Sequence, residues 1–231
     1  MNAERLRDNL EAVRCRIAEA ARRSGRDPAS VTLVAVTKRN PPEQVRPLVE
    51  LGALDLGENY PQELWKKVEA LADLPARWHL IGHLQGNKAR KTLSMVRMIH
   101  AADSLKLLRA LDAMAAELAD PPAVCLQVNT SSEAAKHGWS PSSILEDADA
   151  IAGCRWVPIV GLMTMAALGT TAETARPSFV LLRRLRDDLR ARTGLPLEHL
   201  SMGMSNDFET AVEEGATLVR IGSALFEGVA P

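Results

Sequence analysis

The feature that most constrains this chain is a unit that recurs along it: a short apolar run, a polar or glycine-bearing turn, then a helical stretch. The apolar runs are Val31–Thr37, Leu54–Leu56, Trp78–Ile81, Met98–Ala101, Ala123–Val128, Val157–Gly161, Leu197–Leu200 and Leu218–Ile221, eight in all. Helical patterns follow, among them one opened by Pro41-Pro42, one begun at Pro141, a long one over Ala172–Arg192 and a short one over Phe208–Glu214. Strands that alternate with helices are joined by parallel crossovers. Eight of them, with no Pro/Gly-rich linker between, predict an α/β fold: a (β/α)8 TIM-like barrel filling residues 1–231 as one domain. A doubly wound open sheet is the competing arrangement, and it is weaker because the first strand–helix turn, Thr37-Lys38-Arg39-Asn40-Pro41, lacks the glycines of a dinucleotide fingerprint. Ahead of the first strand, Leu6, Leu10, Val13 and Ile17 recur at helical spacing, predicting an extra N-terminal helix that ends at Gly25.

Charge and composition then remove several classes of function. Lys+Arg number 28 and Asp+Glu 29, a net charge of −1, so the chain lacks the basic excess that would counter a phosphate backbone, and no nucleic-acid partner is expected. Cys15, Cys125 and Cys154 are three, widely spaced and free of any Cys-x-x-Cys pair; buried, reduced thiols are the simpler reading than a disulfide framework or zinc knuckle. The N-terminal stretch carries Glu4, Asp8, Glu11 and Glu19 and resembles no secretory or transit signal. The apolar stretch 156–168 is broken by Pro158 and Thr164 and falls short of a membrane span. A cytoplasmic protein without membrane partners is the expectation.

Given a barrel, the residues just after each strand gather on one rim, where barrel enzymes build their sites. Here they are Lys38, Glu58-Asn59, 83–88, 129–138, Met163-Thr164, 201–207 and Gly222-Ser223. Lys38 ends an otherwise apolar strand. By position alone it reads most simply as a lysine reaching into water, although a partly desolvated lysine at a barrel mouth would also be a Schiff-base nucleophile. The loops after strands seven and eight add a second signal: Ser201-Met202-Gly203-Met204-Ser205 and Gly222-Ser223-Ala224 bring hydroxyls and open backbone N–H groups together, as a phosphate cup requires. His79 and His83, four apart on an extended segment, would be separated by about 13 Å, too far to share an ion, and no metal is expected. Cys125 and Cys154 lie in apolar runs and read as core.

These blocks carry a resemblance. Val36-Thr37-Lys38, Gly57-Glu58-Asn59-Tyr60, 78–88, Gly161-Leu162-Met163-Thr164, 200–207 and Val219-Arg220-Ile221-Gly222-Ser223, in this order, resemble the pyridoxal phosphate (PLP) homeostasis proteins, single-domain relatives of the alanine racemase barrel. The resemblance implies a fold-type III PLP protein in which Lys38 forms a Schiff base with the cofactor. Asn59 would line it, Ser201, Gly222 and Ser223 would hold its phosphate, Arg220 would face the pyridine nitrogen, and Met163 would pack near the ring. At position 83, where this chain has His83, many members carry proline.

An arginine beside the pyridine nitrogen stays protonated and weakens the ring as an electron sink. Tyr60 is the only tyrosine, and the second catalytic base that a racemase draws from an additional domain is not expected. The implied function is therefore PLP binding and homeostasis without catalytic residues, with PLP-dependent apoenzymes as possible partners and a monomeric state. A slow PLP-dependent amino-acid racemase, using Tyr60 or a rim histidine as second base, is the alternative. A third reading, an aldolase-like barrel that forms its Schiff base with a phosphorylated sugar, needs no cofactor.

Overall fold

Each predicted apolar run became a strand, and the strands close in sequence order. The computed structural model describes residues 3–131, 137–167, 169 and 171–229. Its strands are β1 (Thr32–Val36), β2 (Asp55–Glu58), β3 (Arg77–Leu80), β4 (Met98–Ala102), β5 (Ala123–Gln127), β6 (Ile159–Met163), β7 (His199–Ser201) and β8 (Leu218–Ile221). All neighbours pair parallel, and β8 returns to β1 through Val34 opposite Arg220 and Ala35 opposite Ile221. The (β/α)8 barrel is thus the architecture, and the open sheet is excluded. Of the rim loop expected over 129–138, residues 132–136 lie outside the described residues.

The helices are α1 (Ala3–Arg23), α2 (Pro42–Glu50), α3 (Pro61–Ala70), α4 (Gly86–Leu93), α5 (Leu105–Ala115), α6 (Pro141–Glu146), α7 (Ala148–Ala152), α8 (Ala172–Thr193) and α9 (Phe208–Glu213). The helix expected from Pro141 is broken in two at Asp147. Three helices, α2, α3 and α6, begin on proline, whose missing N–H costs nothing there. No described helix is long and apolar enough to cross a membrane.

The N-terminal helix is not a mere addition. Among the described residues no helix follows β8, and α1 fills that place in the outer ring, packed between α9 and α2. Its apolar face, Leu6, Leu10, Val13 and Ile17, is buried. Asn9 Nδ2 donates to the carbonyls of Leu225 (3.0 Å) and Glu227 (2.9 Å), tying α1 to the segment beyond β8.

Strand alternation sorts side chains to two faces. Outward residues such as Ala35, Leu56, Leu80, Ile99, Leu126, Leu162 and Leu200 join the helices in the main core. Inward, Val34, Val36, Ile81, Met98, Cys125, Met163 and Leu218 form a smaller apolar cluster. Barrel interiors are ordinarily filled by such branched apolar layers. This one also contains Asp55, His79, His100, Ser201 and Arg220, all buried.

A second buried polar group fixes the exit of β1. Lys67, reaching in from α3, donates to the Thr37 carbonyl (2.8 Å) and pairs with Glu58 at the end of β2, while the Thr37 hydroxyl donates to the same Glu58 oxygen at 2.6 Å. Glu58, Lys67 and Thr37 are almost wholly excluded from water, so each charge depends on the other. The residue that follows this clamp is Lys38. Replacing one partner, as in Lys67→Met, is expected to cost about 3–5 kcal/mol by stranding the carboxylate, whereas Lys67→Met with Glu58→Leu recovers a large part of it. Urea unfolding of the two variants checks this; equal losses would mean the pair is not coupled.

Candidate functional site

Barrel closure brings the candidate residues of β1, β2, β7 and β8 to one sector of the rim. Lys38 stands two residues past the end of β1, exposed, and makes no ion pair or side-chain hydrogen bond among the described residues. The partial desolvation expected for it is not what the fold provides: the buried member of this turn is Thr37, and Lys38 projects beyond it. Asn59, half-buried, follows β2 on one side. A β-carbon on Gly82, after β3, would lie 2.2 Å from the Asn59 carbonyl oxygen, so only glycine allows the two turns to touch. On the other side, Gly222 packs against Val36 of β1, leaving its neighbour Ser223 exposed.

The loops after β7 and β8 do meet, through a residue other than the one expected. Ala224 N–H donates to the Ser205 hydroxyl at 3.3 Å, joining the two loops directly. The loop after β7 is braced by Asp207, which accepts from Met204 N–H at 2.6 Å and whose carboxyl burial pushes above the ordinary aspartate range. Ser201, expected at the phosphate, is instead fully buried inside the barrel with its hydroxyl already engaged. Ser205 is the hydroxyl that this loop presents beside Gly222-Ser223-Ala224. The sequence contained that signal, since both serines belong to the same segment; what decides between them is that Ser201 is the last residue of a strand and points inward.

Beneath the rim, Arg220 is held from two sides. Its Nη1 donates to Ser201 Oγ at 2.6 Å and its Nη2 to the Thr164 carbonyl at 2.8 Å. Burial pulls the guanidinium down to about 10, with Asp207 and Cys125 opposing, which leaves it cationic at neutral pH. Met163 and Cys125 are fully buried in the interior cluster beside it, and the Cys125 thiol is pushed by burial up to about 12. Cys125 is core, as expected. Cys15 is exposed, contrary to expectation, with its thiol donating to Glu19 at 3.5 Å because it falls on the outer face of α1.

From Arg220 a hydrogen-bonded string runs through the barrel to its opposite end. Ser201 Oγ lies 2.7 Å from His100 Nδ1, His100 Nε2 lies 2.9 Å from His79 Nδ1, and His79 Nε2 lies 3.0 Å from Asp55 Oδ1. Asp55 also accepts from Arg77 at 2.9 and 2.5 Å. Burial pushes the Asp55 carboxyl up, but hydrogen bonds from His79 and Arg77 outweigh it, and the group titrates below its ordinary range. An ionised Asp55 only accepts, so His79 Nε2 carries the proton on that bond. Burial, followed by the nearby His79 and Arg220, drives His100 well below the ordinary histidine range, so it is neutral. With Nε2 of His100 donating to His79 and the Ser201 hydroxyl donating to His100 Nδ1, the free lone pair of Ser201 accepts from Arg220. Every bond in the string is then matched, and no buried side-chain N or O atom among the described residues lacks a partner.

Comparison with known proteins agrees with this geometry. The profile of the alanine racemase N-terminal domain family matches residues 8–230. A pyridoxal phosphate homeostasis protein of Pseudomonas aeruginosa is 42% identical over 219 residues, covering 95% of this chain and 94% of its own length. One of Aquifex aeolicus is 41% identical, covering 98% of each. The chain belongs to the pyridoxal phosphate homeostasis protein family. Among solved structures, PipY of Synechococcus elongatus, described with PLP bound, superposes with a TM-score of 0.84 at 37% identity over 96% of this chain and 99% of its own. The alanine racemase of Corynebacterium glutamicum, at 18% identity and a TM-score of 0.70, shares the fold over 60% of its length.

A buried neutral histidine gives the family member a defined acid response. Below about pH 6.5 an unfolded chain protonates at His100 while the folded chain does not, so stability falls on acidification, by up to about 1.4 kcal/mol per pH unit for such a group. His199, lowered chiefly by burial, contributes with the same sign. Urea unfolding between pH 7.5 and 5 is expected to show this slope, and His100→Asn to make it shallower; parallel curves for the two proteins would assign the acid sensitivity elsewhere.

Proposed function

We propose that this protein binds PLP as a Schiff base on Lys38, within the one barrel, and serves intracellular PLP homeostasis by holding the cofactor and releasing it to PLP-dependent apoenzymes in the cytoplasm, without efficient catalysis of its own. The observation that carries this reading is an unpaired lysine amine on the rim beside a two-loop cup, above a guanidinium locked in place. PLP, when bound, supplies an aldehyde that condenses with a primary amine with loss of water. Lys38 offers that amine. Gly222, Ser223 and Ser205 present the N–H and hydroxyl groups that hold a phosphate. Asn59 lines the wall nearest β2, and Met163 contributes the apolar floor.

Arg220 takes the place facing the pyridine nitrogen. Its two acceptors, Ser201 and Thr164, fix its direction, and its positive charge disfavours a proton on that nitrogen, which limits stabilisation of a carbanion. Ser201 acts through Arg220, not on the phosphate. Tyr60, the racemase alternative's candidate base, is 65% exposed and makes no side-chain hydrogen bond or ion pair among the described residues. All the groups named come from one copy of the chain, so a monomer suffices. The shared name of the relatives and the PLP in the PipY structure support the cofactor and the role.

The test is the visible spectrum of the purified protein with added PLP, followed by borohydride reduction and mapping of the modified lysine. A Schiff-base band with the label on Lys38, lost in Lys38→Ala, is expected, together with no turnover of an amino-acid panel above that of free PLP. Label scattered over surface lysines would overturn the site and favour a phosphosugar ligand. Turnover that depends on Lys38 would favour the racemase.

A further inference from the structure

Outside the proposed cofactor site, three loops of the same rim meet at a second point. His83 follows β3, Asp103 follows β4, and His137 lies on the loop between β5 and β6. His83 Nδ1 is 2.7 Å from Asp103 Oδ2, His137 Nδ1 is 4.0 Å from the same oxygen, and the two imidazoles stack with centroids 4.7 Å apart. One donor atom from each residue lies within 4.8 Å of the others. We propose that His83, Asp103 and His137 bind one first-row divalent cation of the zinc type, with a coordination position left open to solvent.

The backbone brings all three donors within reach of one ion. Asp103 immediately precedes Ser104, the N-cap of α5, and its side chain is only 7% exposed. His83 is set by the Gly82 turn against Asn59. His137 is anchored through its carbonyl, which accepts from Gln127 Nε2 at 2.8 Å, and the next residue, Gly138, turns back at φ +116, close enough to the Gln127 carbonyl that a β-carbon would lie 2.7 Å from it. A mostly buried carboxylate therefore faces two solvent-side imidazoles carried on separate loops.

The donor set selects the ion. Two imidazole nitrogens and one carboxylate oxygen suit zinc, cobalt, nickel or copper, whereas calcium and magnesium require more oxygen ligands. With metal–ligand bonds of about 2.0–2.1 Å, tetrahedral ligand atoms stand about 3.3 Å apart. His83 Nδ1 and Asp103 Oδ2 must then open by about 0.6 Å and His137 Nδ1 must close on Asp103 by about 0.7 Å, while the two imidazoles rotate out of their stack so that both ring planes contain the ion, a change open to exposed side chains. Binding replaces the His83–Asp103 hydrogen bond: the Nδ1 proton of a neutral His83 goes to solvent while Nε2 takes one up, so the ring ligates as its other neutral tautomer. Sequence spacing ruled out His79 as a metal partner of His83 and pointed to no metal; the fold gives His79 to the interior string and brings His83 beside two residues remote in sequence.

The test is titration of the tag-free, full-length protein with zinc by calorimetry and with cobalt by absorption, repeated with His83→Ala, His137→Ala and Cys15→Ser. One ion per chain is expected, with the weak d–d bands of nitrogen and oxygen ligation. Each histidine variant is expected to weaken binding by more than about tenfold, the upper part of what loss of even an outer partner of a metal site causes. Cys15→Ser is expected to change nothing. All three replaced residues are exposed, and circular dichroism verifies their folds. Binding that survives both histidine variants, a thiolate charge-transfer band lost in Cys15→Ser, or no binding at tens of micromolar protein would each overturn the proposal. None of these results depends on PLP.

Discussion

A guanidinium 4% exposed inside a closed barrel is the constraint around which this interior is organised. Its cost in lost hydration is several kcal/mol unless acceptors meet it. Ser201 and Thr164 do so, but the Ser201 hydroxyl then needs its own acceptor, which is His100; His100 needs His79, and His79 needs Asp55. Five strands each give up an inward apolar position to satisfy that sequence of requirements. Apolar layers would stabilise a barrel at least as well, so the string is better understood as the cost of keeping one cation rigid beneath the rim. For neutral imidazoles its direction is equally determined: an ionised aspartate at one end and an arginine at the other leave one consistent arrangement of protons between them.

Much of the architecture was legible in the sequence because it rests on local patterns. Val31–Thr37 and Leu218–Ile221 are β-branched runs bounded by turn residues, and such runs declare strands without reference to the rest of the chain. The rim could be read for the same reason, since it follows from where the strands end. The resemblance added roles that spacing could not: nothing local distinguishes Arg220 from any other arginine on a strand.

What was not legible depends on closure. Whether Ser201 faces the rim loops or the interior turns on strand parity, which a three-residue strand does not reveal. His100 reads as one polar residue in an apolar run, and its partners Ser201 and His79 become neighbours only when β3, β4 and β7 surround a common axis. The Lys67–Glu58 pair was missed similarly, because a lysine on an amphipathic helix is ordinarily a solvated one. Each miss concerns a buried polar side chain whose partner is brought near by tertiary structure alone.

The place of α1 in the outer ring has a consequence for the order of assembly. Its buried face is covered in part by α9, and its Asn9 reaches carbonyls more than two hundred positions away. A nascent chain cannot complete that seam until β8 has left the ribosome, so Leu6, Leu10, Val13 and Ile17 lack part of their eventual cover for most of synthesis. The helix made near the outset is thus the final stave of the cask, and the interval before it is seated is when the unfinished protein is most exposed to chaperones and to aggregation.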